Sequence, residues 1–557
     1  MLSMKRFSTI NPLGILFFCL SLFFLSTNPL QAEENALRIS MFPANIQYNP
    51  LRTYTSVEAQ IYTAIYEGLV VPDPLTLRPI PGVASRWEAN EDATEYRFYL
   101  RSNARYSDGQ QITAEDAVNT FIAHLNPEQP SSFSGFLDIV KGARDYRNGR
   151  GAKEDVGIHS GDHNSIVFEL THPAPYFLDL LTHQSMVLIH PDMLASGDWD
   201  SLESILGNGP FILESADETG LKLIKNEYYW DKNRVSPEQI LIEFNADVAA
   251  VTEQFNKGEI FWAKGNFAYG SVISTDYVKV TPVFSTNFFF FNNRQEAFQD
   301  PNIRRGLALL IPWQEIRHED AYFSPSNQLI PEIPMYPAVK GILEQDIAKG
   351  LRLLAEAGHP MGRNLPPITF RVPEGTENAA LAIAFSQALI TAAPELNVSI
   401  EELTDQEDYY SRLREDDYTI GSITWIGDYL DPLTFLMLFI SDSGINESAY
   451  INPEFDALIE ASHRQNGKER YETLGRAESL LLTEGTAWPI HHTVAFHLVN
   501  TREIDGWFPT GLDLHPFKYI RKIDFLPGPG VTMKNPNEFD QTVSYEYTRR
   551  HEIIPKR

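Results

Sequence analysis

One cysteine in 557 residues, Cys19, excludes a good deal of chemistry. It sits inside an apolar run near the start, so a chain that loses this leader has no disulfide, no thiol nucleophile and no thiolate metal ligand. Bases are scarce against acids: 45 Lys and Arg face 74 Asp and Glu, and the formal charge of −29 repels nucleic acid and anionic lipid. After Leu25 no apolar run approaches the roughly 20 residues needed to cross a bilayer. A Gly-x-Ser-x-Gly elbow, a His-Glu-x-x-His helix and a phosphate-binding loop are also missing, which removes three common enzyme signatures. The many carboxylates are scattered, so an exported hydrolase keeps only composition behind it.

What is present reads as a globular protein, 43% hydrophobic and 12% aromatic, without low complexity or heptads. Single cores stop growing at roughly 250 to 300 residues, so this length implies two or more lobes. Lys5 and Arg6 precede the apolar run Leu13 to Leu25, then come Pro29 and small Ala32. Residues 1–32 thus read as a secretory signal peptide cleaved after Ala32. Cys19 lies inside the run rather than at its end, which disfavours lipid anchoring.

Local signals are clear along the exported part. Leu37 to Phe42 reads as a first strand, and Thr55-Ser56-Val57-Glu58 is a capping box opening an amphipathic helix with Val57, Ile61, Ala64, Ile65 and Leu69 on its apolar face. Thr113 caps a second helix that buries Val118, Phe121, Ile122 and Leu125. Asp417 to Trp425 has strand composition. Asp431-Pro432-Leu433-Thr434-Phe435-Leu436 reads as an N-cap, a proline at the first helical position and an apolar helix. Asp428 therefore stands in a strand-to-helix turn, where spacing alone leaves turn cap and ligand contact equally open. Asn452-Pro453 caps another helix, Tyr471 to Leu482 is amphipathic, and Trp488 to His492 begins a strand. His491, His492 and His497 could suggest a metal, but His491 and His492 point to opposite faces of that strand and do not readily share one ion, so solvent- or core-facing histidines are the favoured reading.

The ordered series Ile65-Tyr66-Glu67-Gly68-Leu69, Pro81-Gly82-Val83-Ala84-Ser85-Arg86-Trp87, Tyr96 to Arg101, Tyr106-Ser107-Asp108-Gly109 and Ile112 to Val118 resembles the extracellular solute-binding proteins of peptide and nickel ABC importers. Gly207 to Leu213, Lys225 to Trp230, Asp300 to Ala308, Ile330 to Pro334 and Asp346 to Gly358 extend the resemblance. It departs at Pro312-Trp313, where that family carries an aspartate-arginine pair, so the helix begun at Pro301 should end early.

The resemblance implies an α/β, two-lobed periplasmic-binding-protein fold with an additional domain, a hinge and an interlobe cleft. The implied divisions are 33–67, 205–281 and 496–525 for lobe I, 68–204 for the additional domain, 282–495 for lobe II and 526–557 for a C-terminal tail. The function implied is a periplasmic, non-enzymatic, monomeric substrate-binding component that captures short peptides and delivers them to a membrane permease. The alternative keeps the fold but takes a metal chelate, sugar or other small molecule. No metal or cofactor and no nucleic-acid partner are implied. By the motif Thr424 to Pro432, Asp428 would receive a ligand's α-ammonium, with Trp425, Gly427 and Tyr429 around it. Tyr54 would contact ligand from the loop Asn49 to Ser56. That loop offers no carboxylate between 51 and 57, and sequence assigns no group to a second ligand charge.

Overall fold

Four successive phenylalanines, Phe288 to Phe291, are all buried because their strand is covered on both faces. Side chains alternate along a strand, so Phe288 and Phe290 enter one hydrophobic cluster while Phe289 and Phe291 enter another. The computed structural model describes residues 36–523, apart from 54, 175, 318–322, 343 and 405. Contacts divide the chain into a unit ending at Lys522 and a second from Ile523 to Arg557, and the fold described is that of the first. The expected signal peptide and tail lie outside the described residues.

One 11-stranded sheet organises the fold. Its order runs Val398–Leu403, Ile368–Pro373, Ile420–Ile426, Val278–Phe291, Ala487–Val499, Trp262–Lys264, Leu37–Met41, Gln239–Phe244, Gly220–Lys225 and Phe211–Asp217, with Ser324–Pro325 pairing off this path. Two strands are unusually long: Val278–Phe291 has 14 residues and Ala487–Val499 has 13. They serve both ends of the sheet. Val278 to Pro282 pair with Val494 to Leu498, then the register shifts before Thr286 and again before Phe288, and pairing resumes toward Ala487. Such bulges bend and twist a ladder locally, and here they separate two α/β halves that share one sheet.

A separate four-stranded antiparallel sheet, Ala84–Ala89, Glu95–Leu100, Ser165–Glu169 and Ile158–Gly161, lies within the first half of the chain. Phe98 and Phe168 of this sheet, with Phe121 of the helix Ala114–His124, belong to the same buried cluster as Phe288, Trp425 and Phe435. The smaller sheet thus shares a continuous hydrophobic core with one side of the larger.

Local signals translate directly into helices. Helix Ser56–Ile65 has the expected reciprocal cap: Glu58 N donates to Thr55 Oγ1 at 3.2 Å and Thr55 N donates to Glu58 Oε2 at 2.9 Å. Thr113 and Asp116 cap Ala114–His124 in the same way. Helix Pro301–Ala308 stops early, and a new four-residue helix, Trp313–Ile316, follows Pro312. The expected helix after Asp431 needs correction. Pro432 occupies the cap position itself, and Leu433–Leu436 is a single turn continued by the 3₁₀ turn Met437–Phe439. Asp431 still accepts from Leu433 N at 2.9 Å, but its carboxylate is committed to Arg470, two buried groups joined at 2.5 and 2.9 Å. A full charge pairing with a guanidinium outweighs a cap as the reason for a buried aspartate.

Candidate functional site

A cavity of about 1310 Å³ opens between the two halves of the large sheet. One wall is Phe42 to Tyr48, Arg52 and the helix start Thr55 to Ala59, with Leu221 and Phe244, and the other is Ile423 to Asp428 with Tyr410 and Arg414. Leu512 and Leu514 complete it.

The second wall ends a strand paired unequally on its two sides. Ile420–Ile426 pairs along its whole length with Val278–Phe291, but on the other side Ile368–Pro373 pairs only with Ile420 and Gly421. That second ladder stops after Gly421, and Ile423 to Ile426 line the cavity. A strand edge where a ladder stops can be continued by an extended chain.

At the end of that edge stands Asp428, its side chain 9% exposed. His183 Nε2 lies 3.1 Å from Oδ1, and the Thr434 hydroxyl donates to Oδ2 at 3.1 Å while accepting from Asp428 N at 2.9 Å. No lysine or arginine pairs with Asp428 among the described residues. The carboxylate is thus fixed by two hydrogen bonds without a cation beside it. Since a poorly solvated, uncompensated charge costs several kcal/mol, the site is suited to a cationic guest.

Of the residues anticipated around it, Trp425 and Gly427 line the cavity. Trp425 is largely buried in the wall, at 5% exposure. Gly427 brings its backbone close, its N–H donating to the Phe284 carbonyl at 2.7 Å. Tyr429 is not in the wall: it is buried behind it, its ring edge-on to Phe136 with centroids 5.5 Å apart. Successive residues of the turn alternate sides, which is why Asp428 faces the cavity and Tyr429 the core. Tyr54 lies outside the described residues.

Three groups that sequence reading did not assign are brought here by tertiary structure. Arg52 and Arg414 line the cavity. Arg414 pairs with Glu447 at 3.0 Å, whereas Arg52 donates to the Pro130 carbonyl at 3.2 Å and has no carboxylate partner among the described residues. His183 is the third. No local signal marks it, because it lies 245 residues from Asp428.

The histidines weighed as ligands separate. His491 pairs with Glu377 at 3.0 Å, and His492 Nδ1 lies 2.9 Å from Thr286 Oγ1. His497 joins Asp513 and His515 in a buried cluster whose donor atoms lie within 4.8 Å of one another. The hydrogen bonds there do not suit a cation. Trp262 donates its indole N–H to His497 Nδ1 at 3.1 Å, so the His497 proton sits on Nε2 and goes to Asp513 Oδ1 at 2.8 Å. The Lys264 ammonium already pairs with Asp513 Oδ2. Burial opposes ionisation of Asp513, yet Lys264 and the histidine bonds prevail and hold its carboxyl well below the ordinary range. Burial pushes His497 down to about 4, so it stays a neutral donor.

A sheet shared by two halves, with a cavity walled from both and the Asp428 carboxylate at the end of a strand edge lining it, defines a cleft-type solute-binding protein. The chain belongs to the bacterial extracellular solute-binding proteins, family 5, whose middle-region model matches residues 78–447. It is 26% identical over 496 residues to the periplasmic oligopeptide-binding protein OppA of Salmonella typhimurium, covering 84% of this chain and 88% of that one. Its fold is similar to that of the Escherichia coli murein tripeptide-binding protein MppA, with a TM-score of 0.80 at 22% identity over 88% and 98% of the two chains. Haemophilus influenzae OppA in complex with the peptide RPPGFSPFR gives 0.78 at 22% identity, over 88% and 99%.

Proposed function

We propose that this protein is the periplasmic substrate-binding component of an ABC importer, capturing short peptides in the cavity and delivering them to a membrane permease. It acts as a monomer, by binding and without chemistry. The observation that carries this reading is the strand edge Ile423 to Ile426, which lines the cavity and runs onto an Asp428 carboxylate with no lysine or arginine paired to it among the described residues. An extended peptide satisfies its amides on such an edge and brings its α-ammonium to the carboxylate at the end, which gives affinity without side-chain readout. Trp425 and Gly427 form the wall beside that ammonium, and Tyr429 backs it. Arg52 supplies a counterpart for a second, negative ligand charge. In this reading residues 33–67, 205–281 and 496–525 make the first lobe, 282–495 the second, and 68–204 the additional domain.

The test is calorimetry with one short peptide in free and N-acetylated forms, on the wild type and on Asp428→Asn. The free peptide should bind the wild type more tightly, by roughly 2 to 4 kcal/mol, and the variant should discriminate little between the two. Equal binding of both forms by the wild type would remove Asp428 as the anchor. Mass spectrometry of ligands co-purified under native conditions separates peptides from a chelate or sugar.

A further inference from the structure

We propose that His183 is a positioning residue for the ligand-ammonium anchor: as a neutral donor it holds the Asp428 carboxylate open to the cavity, and on protonation it claims that carboxylate and expels the ligand. The inference rests on the reading of Asp428 as the ammonium site.

The hydrogen bonds fix which nitrogen carries the proton. Ser185 donates its backbone N–H to His183 Nδ1 at 3.1 Å, so Nδ1 presents its lone pair and the proton lies on Nε2, directed at Asp428 Oδ1. The ring cannot easily turn away. It is fully buried, with the ring of Phe133 at 4.3 Å and that of Phe136 at 5.1 Å between centroids. With Thr434 on Oδ2, each carboxylate oxygen has one donor from the protein and keeps acceptor capacity for a guest.

A second proton has a place to go. Ser185 Oγ lies 2.7 Å from Nδ1 and can accept from a protonated ring, at the expense of the Ser185 N–H bond. The pair would then be imidazolium and carboxylate, internally neutral, and a ligand ammonium would meet no net charge. Among the described residues, Asp428 is the one carboxylate bonded to this ring. His124, close by on the helix Ala114–His124, remains neutral because burial, aided by His183, pushes it down to about 3. Tyr429, behind Asp428, also stays neutral, since burial pushes its phenol up. His183 is therefore the ring through which a proton would reach the anchor, because it alone of these groups is bonded to the Asp428 carboxylate.

Calorimetry from about pH 5 to 8, the range in which imidazoles in general change charge, with a free-amine peptide reads the coupling. Wild-type affinity should fall roughly ten- to a hundredfold toward the acid end, the span of a typical linkage. His183→Leu should bind weakly at every pH. His183→Gln, which restores a neutral donor that cannot titrate, should recover much of the lost affinity near pH 7 without the acid decline. A Gln variant that keeps the wild-type slope overturns the proposal.

Should these variants fold poorly, the wild-type protein suffices. The NMR titration midpoint of His183 should drop on adding peptide, because linkage is reciprocal, and a midpoint unmoved by a peptide that needs Asp428 overturns the coupling. Failure of the anchor itself looks different: free and acetylated peptides bind alike, while Asp428→Asn still lowers the His183 midpoint in the ligand-free protein. No response to Asp428→Asn would overturn the pairing itself.

Discussion

Gly427 donates its backbone N–H to the carbonyl of Phe284 at 2.7 Å, and a β-carbon on Gly427 would stand only 2.5 Å from the Phe284 ring. Phe284 lies in the register break of the long strand pair, and its own N–H reaches the Gly511 carbonyl at 2.7 Å, beside Leu512 in the cavity wall. One residue thus ties the Asp428 turn to the other wall. Gly427→Ala should force the turn off Phe284, costing about 1 to 3 kcal/mol of stability as overpacking does, and should weaken peptide binding too. Urea unfolding and calorimetry on the same variant measure both, and an unchanged affinity would mean that the turn tolerates the shift.

Asp431 and Arg470 form a bidentate buried pair, with the Arg470 guanidinium also over the Tyr176 ring at 4.2 Å. Removing one partner strands the other. Asp431→Asn or Arg470→Met should each destabilise by about 3 to 5 kcal/mol, whereas the double replacement should cost less than the sum. Additive losses in denaturant unfolding would argue against the pair acting as a unit.

Glu478 gives the fold a pH dependence of defined sign. Its buried carboxyl accepts from Leu329 N at 2.8 Å, Ile330 N at 3.1 Å and the Tyr336 hydroxyl at 2.9 Å, yet burial outweighs these donors and pushes it up to about 7. The unfolded chain releases this proton near the ordinary glutamate value of about 4.3. Between the two values the folded state binds more protons, so this contribution is fully present at the acid end and is lost as pH rises through about 7. Glu478→Gln should remove that part of the decline in a pH series of urea midpoints. A slope identical to wild type would place the titration elsewhere.

Closure around the ligand should occur at the paired long strands, where the ladder shifts register between Pro282 and Thr286 and again between Asn287 and Phe288. Breaks of this kind leave fewer ladder bonds to resist a hinge. Small-angle scattering should give a smaller radius of gyration with peptide than without. An unchanged radius would indicate a cavity that fills without movement.

Where a few neighbouring residues decide the geometry, this sequence is explicit. The caps at Thr55 and Thr113, the early stop before Pro312 and the strand-to-turn passage at Asp428 rest on hydrogen bonds or steric limits spanning a few residues, so residue order contains them. The family motifs add the fold and single out Asp428, since they preserve order along the chain. Tertiary structure decides the rest, because a site's electrostatics depends on what folding brings into contact. Asp431 reads locally as a cap and becomes half of an ion pair only when a helix 39 residues away packs beside it. Lys264 meets Asp513 across 249 residues, and His183 meets Asp428 across 245. Residue types alone show that the chain carries carboxylates; whether a given one is neutralised, shared or left for a guest depends on burial and on which donors reach it, and only the packed structure supplies both.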